Sequence, residues 1–525
     1  MAAALVGRGR SWLRWVLPFL EWAPGYRRNG QWKSDAHAAV VSAGIMLPQA
    51  VVLARLAGLP AQYGIYAAFL PVVVAALWGS SRQLLSGPNT AICLLLAATV
   101  SPFAAPGSGD YMRYVATLTL IVGAGQWLLG ALRLDAVLDY LPVSADVGIT
   151  TAVGITIILS QASYLLGQVP TYGIPSWETA YAAVVAGTTH VANLVIAGAT
   201  VGIGLLAQRS RPLWVRRLAL LIALLGGTLL SLVLDALYGS ATMNFLVVGR
   251  LPVSWPGLSL PDFGSRELAA IPEMLSGILT IAYLGLVQSV VIARTLADET
   301  GQRLDLGQEI RAQGLANLTA AFTSGFAGSG SFNRSRVHAR AGAQTQMAAV
   351  MSAFVMIVAA IAGSRFLAEI PDPAMAGVLV LVGLGLVDLR KLWAQWRIGA
   401  AQAALVAAVI AAGVLGGLQD AVIIGVLAPL AGFLSRAARP AIRVERTAER
   451  IHVHLDGNVF FASAQRIATV LRTLGEECGF RGCVDVDLRD VGYVDADGFA
   501  MLHREQARWR ERGGSLVLSG EAGKA

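Results

Sequence analysis

Two stretches rich in glycine and serine stand far apart in this chain, and each introduces a short segment among longer apolar ones. The first is Ser86-Gly87-Pro88-Asn89-Thr90, and the second is Gly328-Ser329-Gly330-Ser331, which Arg334 follows. Interruptions at equivalent positions of two halves are the best sequence indication of a transporter binding site. Glycine and proline are also frequent in ordinary membrane helices, so the prediction rests on the match between the two stretches.

Arg334 is the residue near these stretches with the most obvious chemistry. A charged side chain inside a membrane costs several kcal/mol unless it is compensated or reaches water, and an exchangeable anion would compensate it. The alternative is an arginine in a loop outside the membrane, because Arg336, His338 and Arg340 follow closely. The residues alone leave both interpretations open.

The composition indicates that most of the chain lies in a membrane. Hydrophobic residues make up 55% of the sequence and charged residues 14%, and the mean hydropathy is +0.61. Runs such as 218–234, 351–363 and 401–415 carry no ionised side chain. With their flanks they reach the roughly 20 residues that a membrane-spanning helix needs.

The net charge of +8 follows a pattern typical of membrane proteins, so nucleic acid is not an expected partner. Basic residues cluster between apolar runs, whereas the segments 168–179 and 239–260 hold Arg250 alone. This pattern predicts a bacterial-type inner membrane with both termini in the cytoplasm. Residues 11–20 favour an interfacial segment over a signal peptide. The basic clusters are Arg8, Arg10, Arg14, Arg27, Arg28 and Lys33; Arg209, Arg211, Arg216 and Arg217; Arg390, Lys391 and Arg397; and Arg436, Arg439 and Arg443.

The apolar pattern predicts about 14 membrane crossings, divided into two halves near residue 250. The predicted organisation is a cytoplasmic segment at 1–36, a membrane domain at 37–436 and a soluble domain at 437–525. The crossings are expected to begin near residues 37, 61, 88, 113, 146, 180, 214, 268, 307, 334, 347, 374, 398 and 419.

After Arg443 the sequence changes to the alternation of a small soluble α/β domain. Strands are predicted at 451–455, 484–488 and 516–518, and helices at 462–477 and 499–512. Asp495 and Asp497 favour a helix cap over a metal site. The three cysteines, Cys93, Cys478 and Cys483, lack zinc-site spacing and favour reduced thiols. No cofactor or metal is expected.

Several ordered motifs together resemble one family, the sulphate permease (SulP) anion transporters that end in a STAS domain. The resemblance covers almost the whole chain. Its motifs are Leu47-Pro48-Gln49-Ala50, 56–60, 63–69, 79–82, Ser86-Gly87-Pro88, 301–305, Gln308-Glu309, Gly314-Leu315-Ala316-Asn317, Phe332-Asn333-Arg334-Ser335, 341–345 and, in the soluble domain, 494–498.

The resemblance implies an all-α membrane domain of two inverted seven-helix repeats, arranged as core and gate bundles, with a small α/β STAS domain. It also implies that the third and tenth spans are half-helices whose N-termini face each other at mid-membrane. Such helix ends offer unpaired N–H groups and a partial positive charge to an anion. The implied function is alternating-access transport of sulphate, bicarbonate, chloride or dicarboxylates.

The resemblance favours Arg334 as part of the anion site, and nearby neutral side chains would add hydrogen-bond donors. Each neutral residue alone is more commonly an ordinary intramembrane hydrogen-bonding group. The candidate substrate-binding residues are Gln49, Asn89, Thr90, Gln288, Asn333, Arg334 and Ser335.

Three positions depart from residues common in the family. Leu53 replaces a tyrosine, Asn333 replaces a serine, and Gln288 replaces a glutamate in the eighth span. Since an amide cannot titrate, Gln288 puts proton coupling at that position in doubt. In the STAS domain, Ala496 stands where a phosphorylatable serine occurs in related domains.

Two other functions compete with anion transport: a nucleobase-type transporter of the same fold, and a membrane sensor that signals through the STAS domain. An enzyme is not expected, because no nucleophile–base pair or phosphate-binding loop is evident. The expected partners are a small anion and the lipid bilayer. A homodimer and a cytosolic protein at the STAS domain are left open.

Overall fold

The computed structural model describes residues 17–520 apart from 24–25, 27–29, 134–142, 169–175, 213–214, 217, 239–246, 248–254, 256, 260–263, 448–449 and 481–482. The chain forms two compact units, Met1–Gly425 and Val426–Ala525. Within the described residues, nine helical segments are long and apolar enough to cross a membrane, and three more apolar helices are shorter. Three of the nine, Ala61–Trp78, Ser144–Leu165 and Asp372–Ile398, each consist of two successive helices. The protein is therefore a multi-pass membrane protein, and the count of about 14 crossings stays a prediction.

Helices account for nearly all the regular structure before residue 440. They are α1 (Trp32–Leu56), α2 (Ala61–Ala67), α3 (Leu70–Trp78), α4 (Thr90–Val100), α5 (Gly109–Ala131), α6 (Val143–Ser160), α7 (Ala162–Leu165), α8 (Ser176–Val185), α9 (Val191–Arg209), α10 (Ala219–Tyr238), α11 (Ser265–Ala269), α12 (Ile271–Thr300), α13 (Leu306–Phe322), α14 (Phe332–Arg340), α15 (Met347–Ala362), α16 (Ser364–Ala368), α17 (Asp372–Leu386), α18 (Leu389–Ile398), α19 (Ala400–Leu415) and α20 (Leu418–Ala437).

Most predicted starts lie near observed ones, and the sixth span is the main exception. It was expected near residue 180, but α8 ends at Val185 and α9 begins only at Val191. Gly187 lies between them with φ +68°, a left-handed conformation that glycine adopts readily and that ends a helix. The predicted N-terminal segment 1–36 and the loops 168–179 and 239–260 lie largely outside the described residues.

The helices pack in two groups. One contains α1, α3, α4, α5, α12, α13, α14 and α15, and the other contains α6, α9, α10, α17 and α19. Equivalent helices of the two halves exchange partners: α1 packs on α15 as α12 packs on α5, and α1 packs on α14 as α12 packs on α4. These reciprocal contacts are those of an inverted repeat with a core bundle and a gate bundle.

Buried polar contacts hold the core bundle together. Glu309 in α13 is 1% exposed, and its carboxylate accepts hydrogen bonds from the backbone N–H groups of Ser80 and Ser81, both at 2.9 Å. Between the bundles, Arg55 of α1 forms an ion pair with Asp372 of α17 at 2.9 Å. Buried carboxylates require such partners, because an unpaired charge in the interior is costly.

The second unit contains a four-stranded sheet with strands β1 (Ala441–Arg446), β2 (Arg450–Asp456), β3 (Cys483–Asp487) and β4 (Ser515–Ser519) in the order β1-β2-β3-β4. β1 is antiparallel to β2, whereas β2, β3 and β4 are parallel. Helices α21 (Phe461–Glu477) and α22 (Ala496–Glu511) connect the parallel strands. Alternating strand residues pack against both helices in one apolar core that includes Trp509.

This unit agrees with the predicted α/β domain in its three parallel strands and two helices, with two differences. Strand β1 was not predicted from the sequence. The last helix was predicted to begin at Phe499, but α22 begins at Ala496. Asp495 is the N-cap as expected, and its side chain accepts a hydrogen bond from the Gly498 N–H at 2.6 Å.

Candidate functional site

The two Gly/Ser-rich stretches lie side by side in the core bundle. Gly87 and Ser329 exchange both backbone hydrogen bonds, at 3.1 and 3.0 Å, and the Ser331 N–H donates to the Leu85 carbonyl at 3.3 Å. A reciprocal exchange of this kind is the pairing of two antiparallel extended segments. The short helices α4 and α14 follow the paired segments, so each begins inside the protein.

Gly328 permits this close approach. A Cβ added at Gly328 would lie 2.5 Å from the Gly87 carbonyl oxygen, closer than real Cβ contacts. Asn317 of α13 then holds Gly328 from the other side, accepting its N–H at 2.8 Å and donating to its carbonyl at 3.2 Å. The second stretch is therefore fixed by backbone contacts that only glycine allows at this position.

Two of the predicted site residues join the paired segments. Asn89 caps α4, because its Oδ1 accepts from the Ala91 N–H at 3.1 Å, and its Nδ2 donates to the Gly330 carbonyl at 2.9 Å. Ser335 is fully buried, and its Oγ accepts from the Leu85 N–H at 2.9 Å. Both side chains position the half-helices relative to each other.

Helix α12 also holds the paired segments in place. The Gly330 N–H donates to Ser289 Oγ at 2.8 Å, and Ser329 Oγ donates to Gln288 Oε1 at 3.4 Å. On the opposite side, Gln313 Nε2 of α13 donates to Ser86 Oγ at 2.8 Å. The predicted residue Gln288 thus lies beside the second stretch.

Arg334 is the third residue of α14 and is 2% exposed. It is therefore not in an exposed loop, which was the alternative interpretation. Its Nε, Nη1 and Nη2 atoms have no hydrogen-bond partner among the described residues. The guanidinium lies next to the paired segments, because a Cβ added at Gly87 would be 3.5 Å from Nη2. A buried guanidinium whose donors are unpaired can bind an anion through charge-assisted hydrogen bonds.

Backbone N–H groups at the two helix starts also have no acceptor within the described part of the chain. The N–H groups of Phe332, Asn333 and Arg334 precede the first intrahelical hydrogen bond of α14, and no described side chain caps α14. In α4, Asn89 caps only Ala91, so the N–H groups of Thr90 and Ile92 are without acceptors among the residues that the structure describes. Such groups attract anions through hydrogen bonding and the helix dipole.

The remaining predicted residues occupy less enclosed positions. Gln49 in α1 and Thr90 at the start of α4 are half-buried, and neither has a hydrogen-bond partner in the described part of the chain. The side chain of Asn333 is exposed. The structure therefore brings Asn89, Gln288, Arg334 and Ser335 together around the paired segments, with no such contact to Gln49 or Asn333.

The supporting residues Ser289 and Asn317 were not predicted as part of the site. Asn317 belongs to a motif that carried the family resemblance, which was a usable signal. Ser289 has only its place next to Gln288 to distinguish it from other serines in apolar helices. Its role depends on which face of α12 meets Gly330, and that contact is tertiary.

Replacing Gly328 with alanine should lower the yield of folded protein and its midpoint of thermal unfolding in detergent. The added Cβ would force apart the pairing of Gly87 with Ser329, at a cost of about 1–3 kcal/mol. Gly385→Ala is the matched control, because nothing lies within 4 Å of a Cβ there. Equal unfolding temperatures for the two variants would show that the pairing of Gly87 with Ser329 does not require glycine at position 328.

The fold and the site define a class: multi-pass membrane proteins of inverted-repeat architecture, with broken helices at the centre of the core bundle. Residues 32–409 match the model of the Sulfate permease family, and residues 442–524 match a STAS domain described as Mlab, STAS domain. The chain belongs to the sulfate permease family and carries a C-terminal STAS domain.

Known relatives are consistent with this membership. The protein named "Probable sulfate transporter 4.2" from Arabidopsis thaliana is 26% identical over 97% of this chain and 79% of its own length. A protein named as a probable sulfate transporter from Mycobacterium tuberculosis is 31% identical over 80% of this chain and 74% of its own. The murine Solute Carrier 26 family member A9 anion transporter, solved in an inward-facing state, shares the fold with a TM-score of 0.84 at 19% identity, covering 97% and 88% of the two chains.

Proposed function

We propose that the protein is a secondary transporter of small anions that works by alternating access. The observation that carries the proposal is the buried guanidinium of Arg334 beside the paired segments, whose three nitrogens have no hydrogen-bond partner in the described ranges. An anion bound there would neutralise a charge that is otherwise costly within a membrane. Movement of the core bundle relative to the gate bundle would then expose the loaded site to either side.

The predicted site residues take two kinds of role in this proposal. Arg334 and the unpaired N–H groups at the starts of α4 and α14 bind the anion directly. Thr90 and Asn333 add neutral donors at the starts of α4 and α14, and Gln49 adds one from α1. Asn89, Gln288 and Ser335 act mainly as positioning residues, because hydrogen bonds within the protein already engage their side chains. Neutral donors suit a partly dehydrated oxyanion.

Sulfate is the first substrate to test, because the curated relatives named above are called sulfate transporters. Bicarbonate, chloride and dicarboxylates are the other members of the predicted class. All of them except chloride present oxygen atoms to N–H donors. Competition of each anion with labelled sulfate would rank them.

Uptake of labelled sulfate into proteoliposomes tests transport against the sensor alternative. Accumulation of sulfate that depends on the protein and saturates with concentration is the expected result. A sensor would bind sulfate without accumulating it. The relatives favour neither the sensor nor the nucleobase alternative. Unlabelled uracil tests the nucleobase alternative, and its addition should leave sulfate uptake unchanged.

The proposed location is the inner membrane of a bacterial-type cell, with both termini and the STAS domain in the cytoplasm. The basic clusters between apolar runs support this orientation. The domain boundaries 1–36, 37–436 and 437–525 are part of the proposal, as are a regulatory role for the STAS domain, a homodimer and a cytosolic partner. No cofactor or metal enters the proposed mechanism.

Reporter fusions test the orientation. A fusion within 239–249 should report the extracytoplasmic side, and a fusion after Arg443 should report the cytoplasm, because the first segment is nearly free of basic residues. Alkaline phosphatase and a fluorescent protein give opposite signals in the two compartments. Both reporters indicating the same side would overturn the orientation.

A further inference from the structure

Helix α18 differs from the apolar helices around it. It has ten residues, Leu389–Ile398, too few for the roughly 20 needed to cross a membrane. The side chain of Asp388 caps its start by accepting from the N–H groups of Arg390 and Lys391, and Gly399 follows its end. It joins the gate helices α17 and α19 and packs against α19 and α6.

One face of α18 is apolar, and no neighbour among the described residues covers it. Leu389, Trp393 and Trp396 are spaced as i, i+4 and i+7, so they share one side of the helix. They are 73%, 67% and 63% exposed. The face turned toward the protein is marked by Gln395, which is buried.

Two arginines border this apolar face. Arg390 and Arg397 are also seven positions apart and lie together along one edge of it. Lys391 is two positions from Trp393 and therefore lies on the far side of the helix. All three side chains are exposed. An exposed stripe containing two tryptophans beside positive charges is typical of a helix that lies in the plane of the membrane surface.

We propose that α18 is a docking site for anionic lipid headgroups, with Leu389, Trp393 and Trp396 in the outer acyl region and Arg390 and Arg397 at the phosphates. Charge complementarity selects anionic over zwitterionic lipid. Because α18 is short, capped and attached to α19, a bound lipid would anchor the gate bundle at one membrane surface. The inference concerns lipid binding and does not depend on whether the protein transports sulfate.

Native mass spectrometry of the purified full-length protein tests the proposal, with phosphatidylglycerol and phosphatidylcholine as probes. The double variant R390Q/R397Q should bind phosphatidylglycerol at least about tenfold more weakly, with binding of phosphatidylcholine unchanged. The matched control R466Q/R510Q removes the same charge from exposed positions of the second unit and should bind like the parent. Unchanged binding in the α18 variant, or an equal loss in the control, would overturn the proposal.

A second measurement needs only conservative changes. The parent and the variant W393F/W396F are reconstituted in vesicles of brominated phosphatidylcholine containing phosphatidylglycerol. Subtracting the tryptophan emission of the variant from that of the parent gives the emission of Trp393 and Trp396. This emission should be much weaker in the brominated vesicles than in vesicles without bromine. A difference signal that bromine leaves unquenched would place these two rings away from lipid and overturn the proposal, as would a loss of dimers in W393F/W396F with unchanged lipid binding.

Discussion

Replacing Arg334 with alanine should weaken sulfate binding by about 10- to 100-fold while the protein still folds and inserts. A charge-assisted hydrogen bond contributes about 1.5–3 kcal/mol, and tenfold in affinity corresponds to about 1.4 kcal/mol. The loss is expected to be this large because Arg334 is 2% exposed and its guanidinium nitrogens have no hydrogen-bond partner among the residues that the structure describes. Equilibrium binding of labelled sulfate to purified protein measures the effect.

Arg336→Ala is the matched control for this experiment. Arg336 lies on the same helix, but its side chain is 39% exposed, pairs with Glu299 at 3.2 Å and lies over the ring of Phe332. Its removal should leave sulfate affinity within about twofold, since exposed ion pairs contribute little. Arg334→Lys keeps the charge and loses the fork geometry, so its affinity should fall between the parent and Arg334→Ala. Parent-like binding and uptake by folded Arg334→Ala would contradict the assignment.

A pH gradient should fail to drive sulfate accumulation by the parent protein, and Gln288→Glu should introduce such a response. Gln288 lies beside the second half-helix, where its Oε1 accepts from Ser329 Oγ at 3.4 Å. A carboxylate at this position would take up a proton on one side and release it on the other, whereas an amide has no such cycle. No Asp or Glu occurs between residues 278 and 293 to replace it.

The measurement is uptake into proteoliposomes with an imposed inward proton gradient, a clamped membrane potential and no bicarbonate. Gln288→Met is the control, because it has a similar size and no titratable group, and its uptake should be insensitive to the gradient. Glu309 is an alternative acid for proton coupling, but its carboxylate already accepts hydrogen bonds from the backbone N–H groups of Ser80 and Ser81. Several-fold accumulation by the parent under the proton gradient alone would refute the prediction.

The sequence was sufficient to predict the membrane domain, the two interrupted segments and the arginine that follows the second one. Apolar runs and Gly/Ser-rich breaks are local signals, and the match between halves made them specific. The pairing of Gly87 with Ser329 could not be derived in the same way. It depends on contacts between residues more than 200 positions apart, which no local periodicity encodes.

The contacts of individual residues were predicted less well than the two interrupted segments. Asn89 and Ser335 have donors and acceptors of the right type, but the structure uses them to fix the backbone of the half-helices. Strand β1 was missed because three of the six residues in Ala441–Arg446 are charged, so its apolar alternation is limited to Ile442 and Val444. Its pairing with β2 is what defines it as a strand.

A structure of the protein with selenate bound tests directly whether the anion binds between the two half-helices, since selenate has the charge and shape of sulfate. We expect selenium anomalous scattering between the starts of α4 and α14, with selenate oxygens within hydrogen-bonding distance of Arg334 and of the N–H groups at both helix starts. The same crystals of Arg334→Ala should lose that density. Selenate bound elsewhere in a protein that transports sulfate, with Arg334 still unpaired, would contradict the account.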